Sequence, residues 1–427
     1  MSEELVVLYR DQIAGILTKT SGGKLTLRYN DAYRQAVGAT PISTGISMGQ
    51  PEHTGQQLRN WLWGLLPDNE TVLARWARTF SVSTGSPFGL LSTEIGEDCP
   101  GAFSFVKPER VDAVMANEGK VDWLSEEDLA AILRELRADA SAWLGSNPPG
   151  RFSLSGAQTK TALLWDGTRW GRPAGAIATT HIIKPAIAGV AEHDLNEHLC
   201  LRAAAAAGLT VVDTALLRFA DQTALFVRRY DRFKDNTQQV RVHQEDLCQA
   251  LGISPAKKYQ NEGGPSPQKV AELIRLTIPA GIVLESVERF ADALIWNWII
   301  AGPDAHAKNY SLLLSGGEVR LAPLYDISSA LPYPNIQQQK IKLGMKFGTD
   351  YSLDARSSTW PTLARGLGIH EDTLRDRARH LISAAPDAFA TAANLPDVKA
   401  LSTKLPAKLK EAVARRAKKC AAQVILK

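Results

Sequence analysis

Four cysteines in 427 residues, none in a C-x-x-C spacing, leave the chain without a thiol framework. Cys99, Cys200, Cys248 and Cys420 are scattered, so neither a zinc site nor a disulfide scaffold is expected, and a reducing, cytoplasmic setting is favoured. Long apolar runs are missing as well. Stretches such as Ile278–Leu284 fall far short of the roughly 20 residues that cross a bilayer, so no membrane partner is expected. The N-terminus, Met1-Ser-Glu-Glu-Leu5, is acidic and lacks a signal-peptide pattern. Strong net charge is absent too: at +4 there is no global demand for nucleic acid, and only local basic clusters can carry such an argument. No internal repeat is evident.

What is present is ordinary globular material. The apolar fraction of 44% supports a sizeable core, and the length predicts two to three domains at about 150 residues each. Leu5–Tyr9, Ile13–Thr18 and Lys24–Tyr29 read as strands, and Gln56–Leu66 and Glu70–Thr79 as helices with Asn69 as a cap. Leu90–Ile95 reads as a short helix and Glu126–Leu144 as a longer one, followed by a break at Gly145–Gly150. Strands follow at Lys160–Trp165, Thr180–Lys184, Val211–Phe219 and Ala224–Tyr230, with an Ala-rich helix at Leu195–Ala207 stopped by Gly208. Beyond that the pattern turns helical: Gln244–Leu251, Ser266–Leu276, Leu284–Ile300, and from about Ser358 to the end. The expected class is α+β, a β-rich lobe followed by a mostly helical lobe, with a small α+β module in front. The boundaries fall at 1–110, 111–230 and 231–427.

The chemistry concentrates in Asp304-Ala-His-Ala-Lys-Asn309 and Pro323-Leu-Tyr-Asp326. An Asp and an Asn five positions apart, then a second Asp beyond a strand pair, is the spacing with which protein kinases place a base and two Mg²⁺ ligands. Tyr310–Leu314, a turn at Ser315-Gly-Gly317, and Val319–Leu324 read as the hairpin between them. Phosphoryl transfer needs such a set because oxygen-bound divalent metal offsets the phosphate charge while a free carboxylate orients the attacking hydroxyl. Two other readings stand beside it: turn and helix capping, with Asp326 capping a helix at Ile327, and a hydrolytic metal site of Asp304, His306 and Asp326.

Other segments are less specific. Ser153-Leu-Ser-Gly-Ala-Gln-Thr-Lys160 has the small residues a phosphate-cradling loop needs, without a Walker A or G-x-G-x-x-G pattern; a polar turn into a strand explains it equally. Lys184 ends an apolar strand, where it is either a phosphate contact, with Glu197 a conceivable partner, or a snorkelling surface lysine. Phe226-Val-Arg-Arg-Tyr-Asp-Arg-Phe233 reads as an adenine-contacting linker, a nucleic-acid surface or a salt-bridged connection. Lys404–Lys427 is a basic amphipathic helix with Leu409, Val413, Ala417 and Ala421 on one face, either solvated or touching DNA phosphates through Arg415 and Arg416.

Taken together these segments resemble the HipA family, the kinase toxins of bacterial HipA–HipB toxin–antitoxin systems. The likeness rests on Ser153–Leu164, His181-Ile-Ile-Lys184, Asn196-Glu-His-Leu-Cys200 with Gly208-Leu209, Arg229-Tyr-Asp-Arg232, His243–Gly252, Asp304–Asn309 and Pro323–Asp326, and on Gly96 with Asp98–Ala102 near the front. It runs through nearly the whole chain and is weakest past residue 350. The resemblance implies a bilobal protein-kinase-like fold and a serine/threonine protein kinase using ATP and Mg²⁺. Asp304 would be the catalytic base, and Asn309 and Asp326 the metal ligands. Lys184 would contact the α/β-phosphates. Ser155, Gly156, Ala157, Gln158, Thr159 and Lys160 would form the phosphate loop, and Arg228, Arg229 and Tyr230 the adenine linker, with His306, Lys308 and Tyr325 near the nucleotide. Ser153 stands at the family's autophosphorylated serine, and Ser155, alanine in some relatives, offers a second acceptor. Arg228 stands where some relatives carry an acidic residue. The implied substrate is an aminoacyl-tRNA synthetase, whose modification halts translation. The implied partners are a HipB-like helix-turn-helix antitoxin and, through the complex, operator DNA. A DNA-bound corepressor with an inactive kinase site is the alternative.

Overall fold

The structure is a computed structural model that describes residues 2–145, 151–235, 238–333, 335 and 340–425. The chain folds into two compact units, each assembled from separated segments. The first comprises Met1–Pro185, Arg218–Ala256 and Ser311–Val319; the second comprises Ala186–Leu217, Lys257–Tyr310 and Arg320–Lys427.

In the first unit, alternation along Glu3–Tyr9 buries Leu5, Val7 and Tyr9. That strand lies between Gln12–Lys19 and Phe103–Val106 in an antiparallel sheet, Val7 facing Gly15 on one side and Phe105 on the other. Leu25–Tyr29 and Glu52–Thr54 extend the sheet beyond Gln12–Lys19. The helices Gln56–Gly64 and Glu70–Thr79 bring Leu58, Trp61, Leu62, Val72 and Trp76 into the same core. Each fully buried large apolar side chain contributes about 1.5–3 kcal/mol. Asn69 caps the second helix, its side chain accepting from Thr71 N and Val72 N. A second antiparallel sheet runs in the order Gln222–Arg228, His181–Lys184, Thr161–Trp165, Trp170–Gly175, Gly119–Trp123.

Three sequence expectations need correction here. Gln244–Leu251 is not one helix: His243–Asp246 is a strand paired with Ser311–Ser315, and only Leu247–Ala250 is helical, with Asp246 as its cap. His243-Gln-Glu-Asp246 carries no aliphatic or aromatic hydrocarbon side chain, so no apolar alternation marks it as a strand. The helix from Glu126 stops at Ala138, where Asp139 turns extended and bonds Ser141. Pro87–Leu91 and a 3₁₀ turn, Glu94–Glu97, replace the expected Leu90–Ile95 helix. A further hairpin, Lys342–Phe347 with Asp350–Ser352, lies in a region not read as strand. The break expected at Gly145–Gly150 lies, past Gly145, outside the described residues.

The second unit is mainly helical. Val283–Ile300 is its centre, buried over most of its length. Trp298 stacks on Phe347 with centroids 4.9 Å apart, meets Trp360 edge-on and donates Nε1–H to Leu353 O at 2.8 Å. The helices His193–Ala206, Pro267–Thr277, Thr359–Leu367, Glu371–Ala393 and Leu405–Val424 complete the unit. On the last helix the buried line is Leu405, Leu409, Val413, Arg416, Ala417, Cys420 and Val424, while Ala421 is exposed. Arg416 therefore does not belong to the basic surface: it is buried, donates to Leu353 O and lies over the Trp298 ring. No helix among the described residues is long and apolar enough to cross a membrane.

Candidate active site

The central helix delivers the Asp304 loop. It ends at Ala301 in the left-handed region (φ 52°), and Gly302 N closes back onto Asn297 O at 2.8 Å, turning the chain sharply. The Asp304 carbonyl then accepts twice, from His306 N at 2.8 Å and from Asn309 Nδ2 at 2.6 Å. Ala307 N donates to Lys258 O at 3.1 Å. Because the Asn309 amide spends its nitrogen end on the loop backbone, Oδ1 is the end it offers elsewhere. Beneath the loop, Gly344 approaches so closely that a Cβ there would lie 2.7 Å from the Ala305 carbonyl carbon. Only glycine fits.

The Asp304 side chain is 51% exposed, with Oδ1 3.7 Å from His306 Nε2. The Tyr259 hydroxyl donates to the same oxygen, and the Tyr259 ring meets His306 edge-on at 4.8 Å. Burial, reinforced by the charge and hydrogen bond of Asp304 and then by Glu262 and Asp326, pushes the Tyr259 phenol well above its usual range. The phenol thus stays protonated as a donor to Asp304. Tyr259 was missed in the sequence: Lys257-Lys258-Tyr259-Gln260 carries no signal beyond a polar turn.

The segment carrying Asp326 is tied to the loop one residue upstream. The Tyr325 hydroxyl donates to Lys308 O at 2.7 Å, and Leu324 bonds Thr210 and Val212 through its backbone at 2.9 Å each. Asp326 has φ 57°, uncommon for a residue with a side chain. No helix begins at Ile327, so the capping reading of Asp326 fails. Among the described residues no group of three or more His, Cys, Asp or Glu is placed to hold a metal, so the hydrolytic Asp304–His306–Asp326 site is not formed. His306, Lys308 and Asn309 are buried.

The remaining candidate residues belong to the first unit. Ser153 is fully buried; its Oγ donates to Leu65 O at 2.5 Å and its N–H to Asp98 O at 2.8 Å. Ser155 is half-buried, and Lys160 Nζ reaches back to its carbonyl at 2.7 Å while lying 5.1 Å from the Trp143 ring centroid. Gly156 turns the loop at φ 98°, and its carbonyl accepts from Asp68 N at 3.0 Å. Ala157 O accepts from Asn69 Nδ2 and Thr159 Oγ1 donates to Ala140 O, with Gln158 half-buried between them. Lys184 is buried at the end of its strand, opposite Leu225, which excludes the surface-lysine reading.

Arg228 is exposed at a strand end, and the Tyr230 hydroxyl donates to Gln244 Oε1. The Arg229 side chain has a different task from the one expected. It is buried, with Nε 3.0 Å from Asp231 Oδ1 and Nη2 2.9 Å from Asp231 Oδ2. Arg232 bridges Asp231 at 2.7 Å and Asp98 at 3.0 Å. Burial alone would raise the Asp98 carboxyl, but Arg229, Arg232 and Arg241 outweigh it and hold it at about 2. Gly101 donates to Asp231 at 2.8 Å, and a Cβ there would strike His243 Nδ1. The Asp98–Ala102 motif is therefore a structural joint. The salt-bridged reading of this segment holds through Asp231, while the second carboxylate, Asp98, lies more than a hundred positions away and had no signal in sequence.

Asp304, His306, Lys308, Asn309, Tyr325 and Asp326 thus share the second unit, and Ser153, Ser155–Lys160, Lys184 and Arg228–Tyr230 share the first. The fold is protein-kinase-like: it superimposes on the solved Shewanella oneidensis HipA, from its complex with HipB and operator DNA, with a TM-score of 0.80 and 22% identity over 99% of this chain and 100% of that one. Residues 5–106 match the family description "HipA N-terminal domain" and residues 152–389 match "HipA-like C-terminal domain"; the chain belongs to the HipA family. Among its relatives are "Putative kinase Y4mE" of Sinorhizobium fredii, 33% identical over 90% of this chain and 91% of that protein, and "Serine/threonine-protein kinase toxin HipA" of Shewanella oneidensis, 28% identical over 79% and 77%.

Proposed function

We propose that this chain is a serine/threonine protein kinase toxin that moves the γ-phosphate of ATP onto a hydroxyl of a protein. The observation that carries the reading is the arrangement of Asp304, Asn309 and Asp326: the Asn309 amide bonds the Asp304 carbonyl, and Tyr325, next to Asp326, bonds the carbonyl of Lys308, next to Asn309. Asp304, open to solvent and oriented by the Tyr259 hydroxyl, accepts the proton of the incoming hydroxyl as its oxygen bonds to the γ-phosphorus and the bond to the β-phosphate oxygen breaks. Asn309 Oδ1 and the Asp326 carboxylate are hard oxygen donors that fit Mg²⁺, which normally takes one or two protein ligands and completes its shell with phosphates and water. When bound, the ion supplies charge neutralisation at the phosphates. Lys184 and the Ser155–Lys160 loop hold those phosphates, with His306, Lys308 and Tyr325 beside the nucleotide.

The linker role narrows. The Arg229 N–H donates to Thr180 O and its carbonyl accepts from Arg232 N, so adenine recognition falls to the backbone of Arg228 and Tyr230. The names of the relatives, a serine/threonine-protein kinase toxin and a HipA solved with HipB and operator DNA, support a HipB-like antitoxin and operator DNA bound through the complex. An aminoacyl-tRNA synthetase as the protein substrate, and arrest of translation, are what the family resemblance adds to the proposal. Domain limits of 1–110, 111–230 and 231–427 go with it. Autophosphorylation at Ser153 or Ser155 would add about −2 charge where ATP phosphates belong and switch the enzyme off. The corepressor alternative draws support from one feature, the exposed Lys408, Lys410, Arg415 and Lys418 on the last helix.

Intact-mass measurement and phosphopeptide mapping after incubation with Mg-ATP test the proposal on wild type and Asp304→Asn. Phosphate gained on Ser153 or Ser155 by wild type alone supports a working kinase. No phosphate gained by either protein, with none present at the start, moves the corepressor reading ahead.

A further inference from the structure

Asn196 is fully buried one turn into the helix His193–Ala206, and nothing in the catalytic scheme above uses it. Its side chain grips one residue of another segment from both ends. Nδ2 donates to Ser329 O at 2.7 Å, and Oδ1 accepts from Ser329 N at 3.1 Å. Nδ2 also reaches the Tyr333 hydroxyl at 3.1 Å, and Cys200 Sγ lies 3.3 Å from Oδ1. An amide paired in both directions with a backbone amide imitates a sheet ladder at one residue and fixes that residue's orientation as well as its position. Ser329 carries the link onward: its Oγ donates to Ile300 O at 2.6 Å, and Ala330 N donates to Ala301 O at 3.1 Å. Ile300 and Ala301 are where the central helix turns toward Asp304.

Asp326 is three residues upstream of this grip. On its other side the Tyr325 hydroxyl is held by Lys308, and the Leu324 backbone by Thr210 and Val212. The metal-ligand candidate therefore sits in a short span fastened at both ends, in a left-handed conformation (φ 57°) that a non-glycine residue leaves when its surroundings permit. The downstream fastening is Asn196. We propose that Asn196 is a positioning residue: through Ser329 it holds the Asp326 carboxylate in its metal-binding orientation, and so makes metal affinity depend on the placement of the helix that carries Asn196. The inference rests on the kinase reading of Asp326. It assigns that helix a duty toward the second unit's own metal ligand, separate from any pairing between its Glu197 and Lys184.

The test measures Mn²⁺ binding by electron paramagnetic resonance in the presence of a non-hydrolysable ATP analogue, with thermal melting of the apo proteins as the folding control. Asn196→Asp keeps the shape but removes the donor to Ser329 O. Ser329→Ala leaves the Asn196 grip on the Ser329 backbone and removes the hydroxyl that donates to Ile300 O and accepts from Leu331 N. Supporting residues of this kind typically change metal affinity about 10–100-fold. Asn196→Asp is expected to fall in that range with metal-free nucleotide affinity unchanged, and Ser329→Ala to show a smaller loss of the same kind. If Asn196→Asp does not fold, Asn196→Ser, whose side chain cannot bond both Ser329 backbone groups, decides in its place: wild-type Mn²⁺ affinity overturns the inference and a selective loss supports it. A wild-type protein that binds no Mn²⁺ overturns the kinase reading and this inference with it. A wild type that binds, matched by a folded Asn196→Asp, overturns this inference alone.

Discussion

Asp98 and Asp304 carry the same side chain and have opposite surroundings. Asp98, in the first unit, is walled off from water and touches Arg229, Arg232 and Arg241, with Thr179 filling its remaining acceptor positions. Asp304, in the second unit, is half exposed, with a tyrosine hydroxyl on one oxygen and no guanidinium bonded to it. Glu245 is a third case: buried like Asp98, it accepts from the N–H and hydroxyl of Thr44, at 2.8 and 2.7 Å, rather than from guanidiniums. Burial pushes its carboxyl up to about 7 despite the hydrogen bonds from Ser43 and Thr44. A carboxylate neutralised by fixed cations is committed to the fold. One that water can reach, oriented but not neutralised, is available for chemistry. Proximity in sequence to arginine or aspartate does not separate the two.

The contrast breaks most sharply at its two extremes. Asp304→Asn is expected to cut phosphotransfer about 10²–10⁴-fold while leaving the melting temperature unchanged, because a base is lost but no buried partner is stranded; radiolabel transfer and calorimetry check both halves. Asp231→Ala should do the reverse. It strands Arg229 and Arg232 in the interior and should cost about 3–5 kcal/mol in denaturant unfolding. An equally stable Asp231→Ala protein would mean the arginine cluster is wetter than described.

Glu245 sharpens the comparison through pH. Its folded-state value is raised from 4.5 to about 7, so the folded protein holds a proton that the unfolded chain has lost. The associated stability is present below pH 4.5 and declines as pH rises through 7. Glu245→Gln keeps an acceptor for Thr44 and removes the titration. It should be more stable than wild type by on the order of 1–3 kcal/mol at pH 8, with no advantage at pH 4.5; unfolding curves at the two pH values decide it. The smallest effects lie on the last helix. Arg416→Ala should cost about 1–3 kcal/mol by removing the charge-assisted hydrogen bond to the Leu353 carbonyl, which then keeps only the Trp298 Nε1–H donor, while Arg415→Ala should stay within about 0.5 kcal/mol and serves as the clean probe of the proposed operator binding.

The candidate site's grouping was legible because its parts are close in sequence: Asp304 and Asn309 share one loop, and Tyr325 joins Asp326 to it after a hairpin whose Gly316 and Gly317 both take positive φ. The long strands and helices were legible from their periods. Tyr259, the reach of the arginine cluster to Asp98 and the Asn196 grip were not, since each pairs residues whose meeting depends on the finished fold. The strand His243–Asp246 was misread because its partner, Ser311–Ser315, is what makes it a strand. Arg416 was misread because a basic residue at helical spacing looks solvated until the carbonyls it bonds are known.

Ser153 has a kinetic consequence. Its hydroxyl lies against the Leu65 carbonyl and its amide against Asp98 O, with no exposed surface. Any modifying enzyme or reagent therefore samples only those molecules in which this segment has come away from both. The rate of modification is the open fraction multiplied by the reactivity of the open form, and deuterium uptake at the Ser153 amide follows the same open fraction. The two rates are separate readings of one opening equilibrium.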